Sequence, residues 1–163
     1  MTLLSAFTLF HVILSLVGIF AGFIVVYGFL SSRRIDRWTS VFLWSTVLTS
    51  VTGYFFPFHK LLPSHILGAM SLITLAIAIY ARYSRDLAGG WRRTYVITSV
   101  LALYFNVLVL IVQLFAKVPA LRELAPTQSE TPFKAAQLIA LLVFLALGFF
   151  AARNFRAEQL SAA

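Results

Sequence analysis

Three histidines, His11, His59 and His65, and three carboxamides in apolar surroundings, Asn106, Gln113 and Gln137, are the side chains of this sequence best suited to chemistry. Imidazole binds metal ions, ligates haem iron, relays protons or hydrogen-bonds a ligand carbonyl. Two of the three imidazoles fall in "FFPFHKLLPSHILG", residues 55–68, where two prolines and Lys60 interrupt two long oily runs. A haem site asks two helices to present histidines at similar depth beside small residues that make room for a flat macrocycle. His11 and His65 meet the depth condition, and Ser15, Gly18 and Gly68 supply little bulk below them. Zinc asks for three or four ligands, which His11, His59 and His65 with Glu123 or Glu130 supply only if the fold gathers them. His59 and His65 are too far apart for an i,i+4 pair on one helix, so there is no local ligand motif.

Plainer readings stand beside these. His59 next to Lys60 reads as a solvated turn residue. His65, in a first helical turn after Pro63 and Ser64, suits a structural hydrogen bond as well as it suits a ligand. His11 is the strongest candidate, because an ionisable side chain within an apolar helix is a functional hypothesis by default. Asn106 fits either an interhelical hydrogen bond or a ligand contact.

Other chemistries are scarce. The chain has no cysteine, which removes disulfides, thiolate metal sites and thiol nucleophiles. No acidic residue is expected inside a spanning helix, so paired-carboxylate catalysis within the membrane is not expected. There is no GxSxG, HExxH, P-loop or GxGxxG pattern.

The elements that position these residues are apolar helices. Of 163 residues, 61% are hydrophobic and 11% charged, where a soluble domain has roughly 25% charged residues. The charges also cluster, leaving long neutral runs between them, as repeated spanning of a hydrocarbon layer requires. Five segments are long enough to span: Leu4–Leu30, Trp38–Phe56, Leu62–Ala81, Thr94–Ala116 and Pro132–Ala152. The expected fold is all-α, one polytopic membrane domain over residues 1–163 with five transmembrane helices in one bundle. The first run has no basic n-region and exceeds the length of a signal-peptide core, so it reads as a retained helix. The net charge of +8 comes from basic residues that flank apolar runs and form no continuous stripe. A lipid bilayer is therefore the expected partner, and nucleic acid is not.

Loop charge sets the expected orientation. Arg33, Arg34 and Arg37, then Arg82, Arg85, Arg92 and Arg93, then Arg153 and Arg156 fall on one side; Lys60, then Lys117, Arg122 and Lys134 fall on the other. Lysine and arginine are retained in the cytoplasm, which places the N-terminus outside and the C-terminus inside. Trp38, Trp91, Tyr83 and Tyr95 then mark the cytoplasmic headgroup boundary.

Polar spacing predicts the inward faces. Thr8, His11, Ser15, Gly18 and Gly22 form one stripe in the first helix. Ser99, Asn106 and Gln113 form another in the fourth. Ser45, Thr49 and Thr52 mark the second helix, and Ser64, Gly68 and Ser71 the third. Small residues here also serve helix packing. Pro63 and Pro132 suit first-turn positions, and Thr131 suits a cap for the last helix. "AGG" at 88–90 predicts a break, and Pro119 predicts a short turn through Leu124.

With this topology all three histidines, Gln113 and Gln137 share the outer half of the bilayer; His11 lies about 9 Å above the centre of its helix. The stretches "VTGYFFPF" and "KVPALRELAPTQSETPF" resemble a set of small bacterial multi-pass membrane proteins of uncharacterised function, a likeness running from about the second helix to the last. That resemblance implies a bacterial inner membrane. The expected site is a polar cavity binding a cofactor or small hydrophobic ligand, with haem b or a quinone-like carrier as occupant. Its expected residues are His11, His65, Asn106, Gln113 and Gln137, with His11 and His65 as ligands of haem iron or a metal ion. A small-solute permease is the second reading. The third is a structural subunit, acting as a homo-oligomer or with a membrane-complex partner.

Overall fold

The computed structural model describes residues 2–56 and 63–156, so His59 and Lys60 lie outside the described residues. Within them the chain is helical, with no strand. Helix α1 covers Leu3–Leu30, α2 Asp36–Gly53, α3 Pro63–Ile79, α4 Trp91–Lys117, α5 Pro119–Leu124 and α6 Thr131–Asn154. A π-helical turn, Tyr80–Ser84, extends α3. Four helical stretches are long and apolar enough to cross a membrane: Leu3–Leu30, His65–Ser84, Trp91–Lys117 and Thr131–Asn154. Helix α2 is set apart from them by its Ser and Thr content and by Asp36 and Arg37 at its start.

The helix ends follow local chemistry. The Thr2 side chain accepts from the Ser5 amide at 3.2 Å and caps α1. Ser32, at φ 51°, turns the chain out of α1, and the Arg33 amide donates back to the Gly28 carbonyl at 2.7 Å. Pro63 and Pro132 occupy first-turn positions as expected, and α5 runs over the residues expected of it. Gly89, at φ 53°, lies in the turn before α4. At α6 the cap is Glu130 and not Thr131, which is already helical. The Glu130 carboxylate is held by the Thr127 hydroxyl at 2.8 Å and the Ser129 amide at 3.0 Å.

The long helices form a ring in the order α1, α2, α3, α4, α6 and back to α1, and α1 also touches α4 across it. The α1–α2 seam is the glycine stripe read from the sequence. His11 meets Thr52, Gly18 lies against Ser45 and Thr46, Gly22 against Phe42, and Gly28 against Ile35. Each step along α1 thus meets a step back along α2, so the pair is antiparallel. At Gly22 a Cβ would stand 2.6 Å from Leu103 Cδ1 and 3.0 Å from the Phe42 ring, so α1, α2 and α4 close on each other there. Helix α6 is the peripheral member, with only Ala140, Phe144 and Ala151 buried.

At one end of the bundle Arg82 is corrected from a connecting-loop arginine to a buried one. It is 4% exposed and sits in the π-helical turn. Its Nη2 pairs with Asp36 Oδ1 at the start of α2, and its Nη1 donates to the Tyr95 hydroxyl at 3.4 Å. The guanidinium also lies over the rings of Tyr83 at 5.4 Å and Tyr95 at 5.6 Å. Arg34 reaches the same Asp36 oxygen at 3.0 Å from the solvent side. One carboxylate therefore ties the first connection, α3 and α4 together.

The closeness at Gly22 gives a direct test. Gly22→Ala should destabilise the detergent-solubilised protein by about 1–3 kcal/mol through overpacking. Gly148→Ala, whose Cβ would make an ordinary 3.7 Å contact with Val100, should be neutral or stabilising. Thermal denaturation of the two variants side by side checks the order.

Candidate functional site

Helix α2 is the polar spine of the bundle. Thr39, Ser45, Thr46, Thr49 and Ser50 are buried, while Trp44 (65%) and Leu48 (45%) are exposed, as is Phe55 (71%) just past the helix end. In water this pattern would be inside out. In hydrocarbon it is the stable one, because hydroxyls find partners only within the protein.

Those partners come from three neighbouring helices. Ser50 donates to Ser71 Oγ of α3 at 3.2 Å. Asn106 Nδ2 of α4 donates to Thr46 Oγ1 at 3.3 Å, and Gly18 of α1 lies against that same oxygen. His11 Nδ1 of α1 meets Thr52 Oγ1 at 2.8 Å. Ser45 and Thr52 also bond the backbone of their own helix, at 2.6 Å to Val41 and 2.7 Å to Leu48. The hydroxyls of Thr49 and Ser99 are buried without a hydrogen-bond partner among the described residues.

The His11–Thr52 contact couples a proton to a tautomer. A threonine hydroxyl carries one hydrogen. Where Thr52 gives it to the Leu48 carbonyl, 2.7 Å away, the hydrogen shared with His11 comes from imidazole, and neutral His11 is then the Nδ1–H tautomer with its lone pair on Nε2. The Phe56 ring meets the imidazole edge to face, with centroids 5.1 Å apart. His11 is half-buried, held by one nitrogen and packed on one side.

His65 is buried in the first turns of α3. Its carbonyl accepts from the Tyr54 hydroxyl at 2.6 Å, and its ring lies 5.6 Å from the Tyr54 ring. Gly68 leaves room for that phenol, since a Cβ there would come within 3.3 Å of the oxygen. Both histidines therefore pack against the end of α2, but through different residues. His11 meets Thr52 and Phe56, and His65 meets Tyr54. Successive residues of a helix turn by about 100°, so Thr52 and Tyr54 face opposite sides of α2.

The carboxamides divide. Asn106 is buried and bound to Thr46, about 9 Å along α2 from Thr52 by the helical rise. Gln113 is exposed and Gln137 half-buried. Gln113 is on α4 and Gln137 on α6. The Ser99–Asn106–Gln113 stripe thus leaves the interior at its last member. Among the described residues no group of three or more His, Asp or Glu side chains could hold a metal ion.

Sequence reasoning missed Tyr54 as the partner of α3 and the Asp36–Arg82–Tyr95 cluster. The signal available for the cluster was the single acid in "SSRRIDR". Comparison with protein-family models, with curated proteins and with solved structures finds no match.

The tautomer is directly testable. In ¹⁵N-histidine NMR spectra His11 should show Nδ1 protonated and Nε2 bare. Thr52→Val removes the acceptor and should shift population towards the Nε2–H form. A His11 already Nε2-protonated beside intact Thr52 would contradict the hydrogen-bond assignment.

Proposed function

We propose that this chain is a five-span protein of a bacterial inner membrane, N-terminus outside, that binds a quinol-like carrier non-catalytically through His11. The buried hydroxyls of α2 and its exposed Trp44 and Leu48 support its role as the fifth span. Loop charge supports the orientation. Reporter fusions after Phe56 and after Arg85 should report the outer and cytoplasmic sides respectively; the reverse pattern would overturn it.

The observation that carries the binding reading is the Nε2 lone pair of His11. Its ring is anchored at Nδ1 by Thr52 and supported by Phe56, and it is half-exposed in an otherwise apolar helix. An aromatic hydroxyl donates well to such a nitrogen, whereas a quinone carbonyl has no proton to offer. The reduced carrier is accordingly the preferred form. His65, Asn106, Gln113 and Gln137, the other residues of the expected polar set, stand apart from His11. On this geometry Asn106 acts through Thr46 and the helix seam.

Haem b is the second reading, and the same observation favours it. An imidazole whose Nδ1–H is held by a hydrogen bond presents Nε2 in the orientation used for axial ligation. A permease draws less support, because Asn106–Thr46 and Ser50–Ser71 join the interior polar groups to each other across helices.

One preparation separates these readings. The protein is purified in mild detergent, its visible spectrum recorded, and binding of a short-chain quinol and its quinone measured by equilibrium dialysis. Quinol should bind at least about ten-fold more tightly than quinone, a difference of about 1.4 kcal/mol, and His11→Ala should abolish the preference. A haem absorption band lost in His11→Ala would replace the quinol reading with the haem one. A colourless protein indifferent to quinol, with and without His11, would overturn both.

A further inference from the structure

Helices α4 and α6 do not close against each other along their whole length. Between them runs an outward-facing trough of about 620 Å³. Tyr104 and Phe144 pack together in its wall, their rings 5.5 Å apart, with Phe23 of α1 6.1 Å from Phe144 on the far side. Gly148 contributes no side chain and keeps the trough open. The wall is hydrocarbon throughout except for the Tyr104 phenol and two arginines, Arg93 and Arg153. The arginines stand at the same end, where α4 begins and α6 finishes.

We infer that this trough is a binding site for one anionic glycerophospholipid, with an acyl chain in the trough and its phosphate between Arg93 and Arg153. Length supports the chain. From Arg93 to Tyr104 the helical rise gives about 16 Å, close to half of a hydrocarbon core about 30 Å thick. The trough thus reaches from a headgroup boundary to the bilayer centre. Charge supports the head. Both ion pairs among the described residues use Asp36, so neither Arg93 nor Arg153 has a carboxylate partner there, and both are exposed. Two uncompensated guanidiniums above an apolar slot complement a phosphodiester, and basic pockets between membrane helices recognise such headgroups. A zwitterionic lipid offers the same chains but adds a cation beside the arginines.

The inference rests on the chain being membrane-resident and not on the His11 site, which lies at the other end of the bundle. The test is native mass spectrometry of the full-length protein in detergent, titrated with phosphatidylglycerol or with phosphatidylcholine of the same acyl chains. Phosphatidylglycerol should be retained preferentially. Arg93→Gln and Arg153→Gln should each weaken its retention by about five-fold, while Arg156→Gln, outside the trough, should not. Gly148→Phe should fill the slot and reduce retention of both lipids with no change in charge. His11→Ala should leave lipid retention untouched, so failure of the quinol reading and failure of this one are distinguishable. Equal retention of the two lipids would overturn the inference. So would a double Arg93→Gln/Arg153→Gln variant that behaves as the unsubstituted protein, or a lipid-free dimer abolished by Gly148→Phe.

Discussion

A hydroxyl carried into hydrocarbon must be satisfied by the protein that carries it. Helix α2 concentrates the buried hydroxyls of the bundle, because most of its serines and threonines face inward while Trp44 and Leu48 face out. Every long neighbour except α6 supplies something to it. Helix α1 contributes His11 and glycines that let the two backbones close, α3 contributes Ser71, and α4 contributes Asn106. The ring order of the bundle follows from this. A helix with no polar seam to offer, α6, is left at the periphery against α4 and α1.

The same constraint orders the two ends of the bundle. Where α2 starts, Asp36 is the counter-charge that lets Arg82 lie buried in a π-helical turn, a local widening often found where a helix must redirect a side chain. Where α2 ends, Thr52 and Tyr54 each hold a residue from a different helix. One consequence is chemical: where Thr52 spends its only proton on its own backbone, Nε2 is the free imidazole nitrogen of His11. Another is mechanical, since the seams that bury hydroxyls are tight while the seam without them, between α4 and α6, stays open as a trough.

Much of this was legible in the sequence. Apolar runs and prolines located five long helices to within a few residues, and the short Pro119–Leu124 helix besides. The three- and four-residue spacing of Thr8, His11, Ser15, Gly18 and Gly22 marked the face of α1 that meets α2. The rest depended on contacts between distant parts of the chain. An arginine just beyond an apolar run has the same sequence appearance whether it snorkels to water or turns inward, so the burial of Arg82 awaited its partners at positions 36 and 95. The carboxamides illustrate the opposite case. Asn106, Gln113 and Ser99 share a seven-residue spacing, yet Gln113 is exposed while Phe115, two residues on, is buried against Phe133 of α6. Periodicity gives a face of a helix, while the length of that face that is covered depends on neighbours.

The most direct measurement is site-directed spin labelling along α2 in lipid vesicles, which the cysteine-free sequence allows without background substitutions. Labels at Trp44, Leu48 and Phe55 should collide readily with oxygen and poorly with a water-soluble nickel chelate. Labels at Ser45, Thr46 and Thr49 should be shielded from both. Hydroxyl positions open to the aqueous chelate, with the tryptophan and leucine positions buried, would contradict the account at its root.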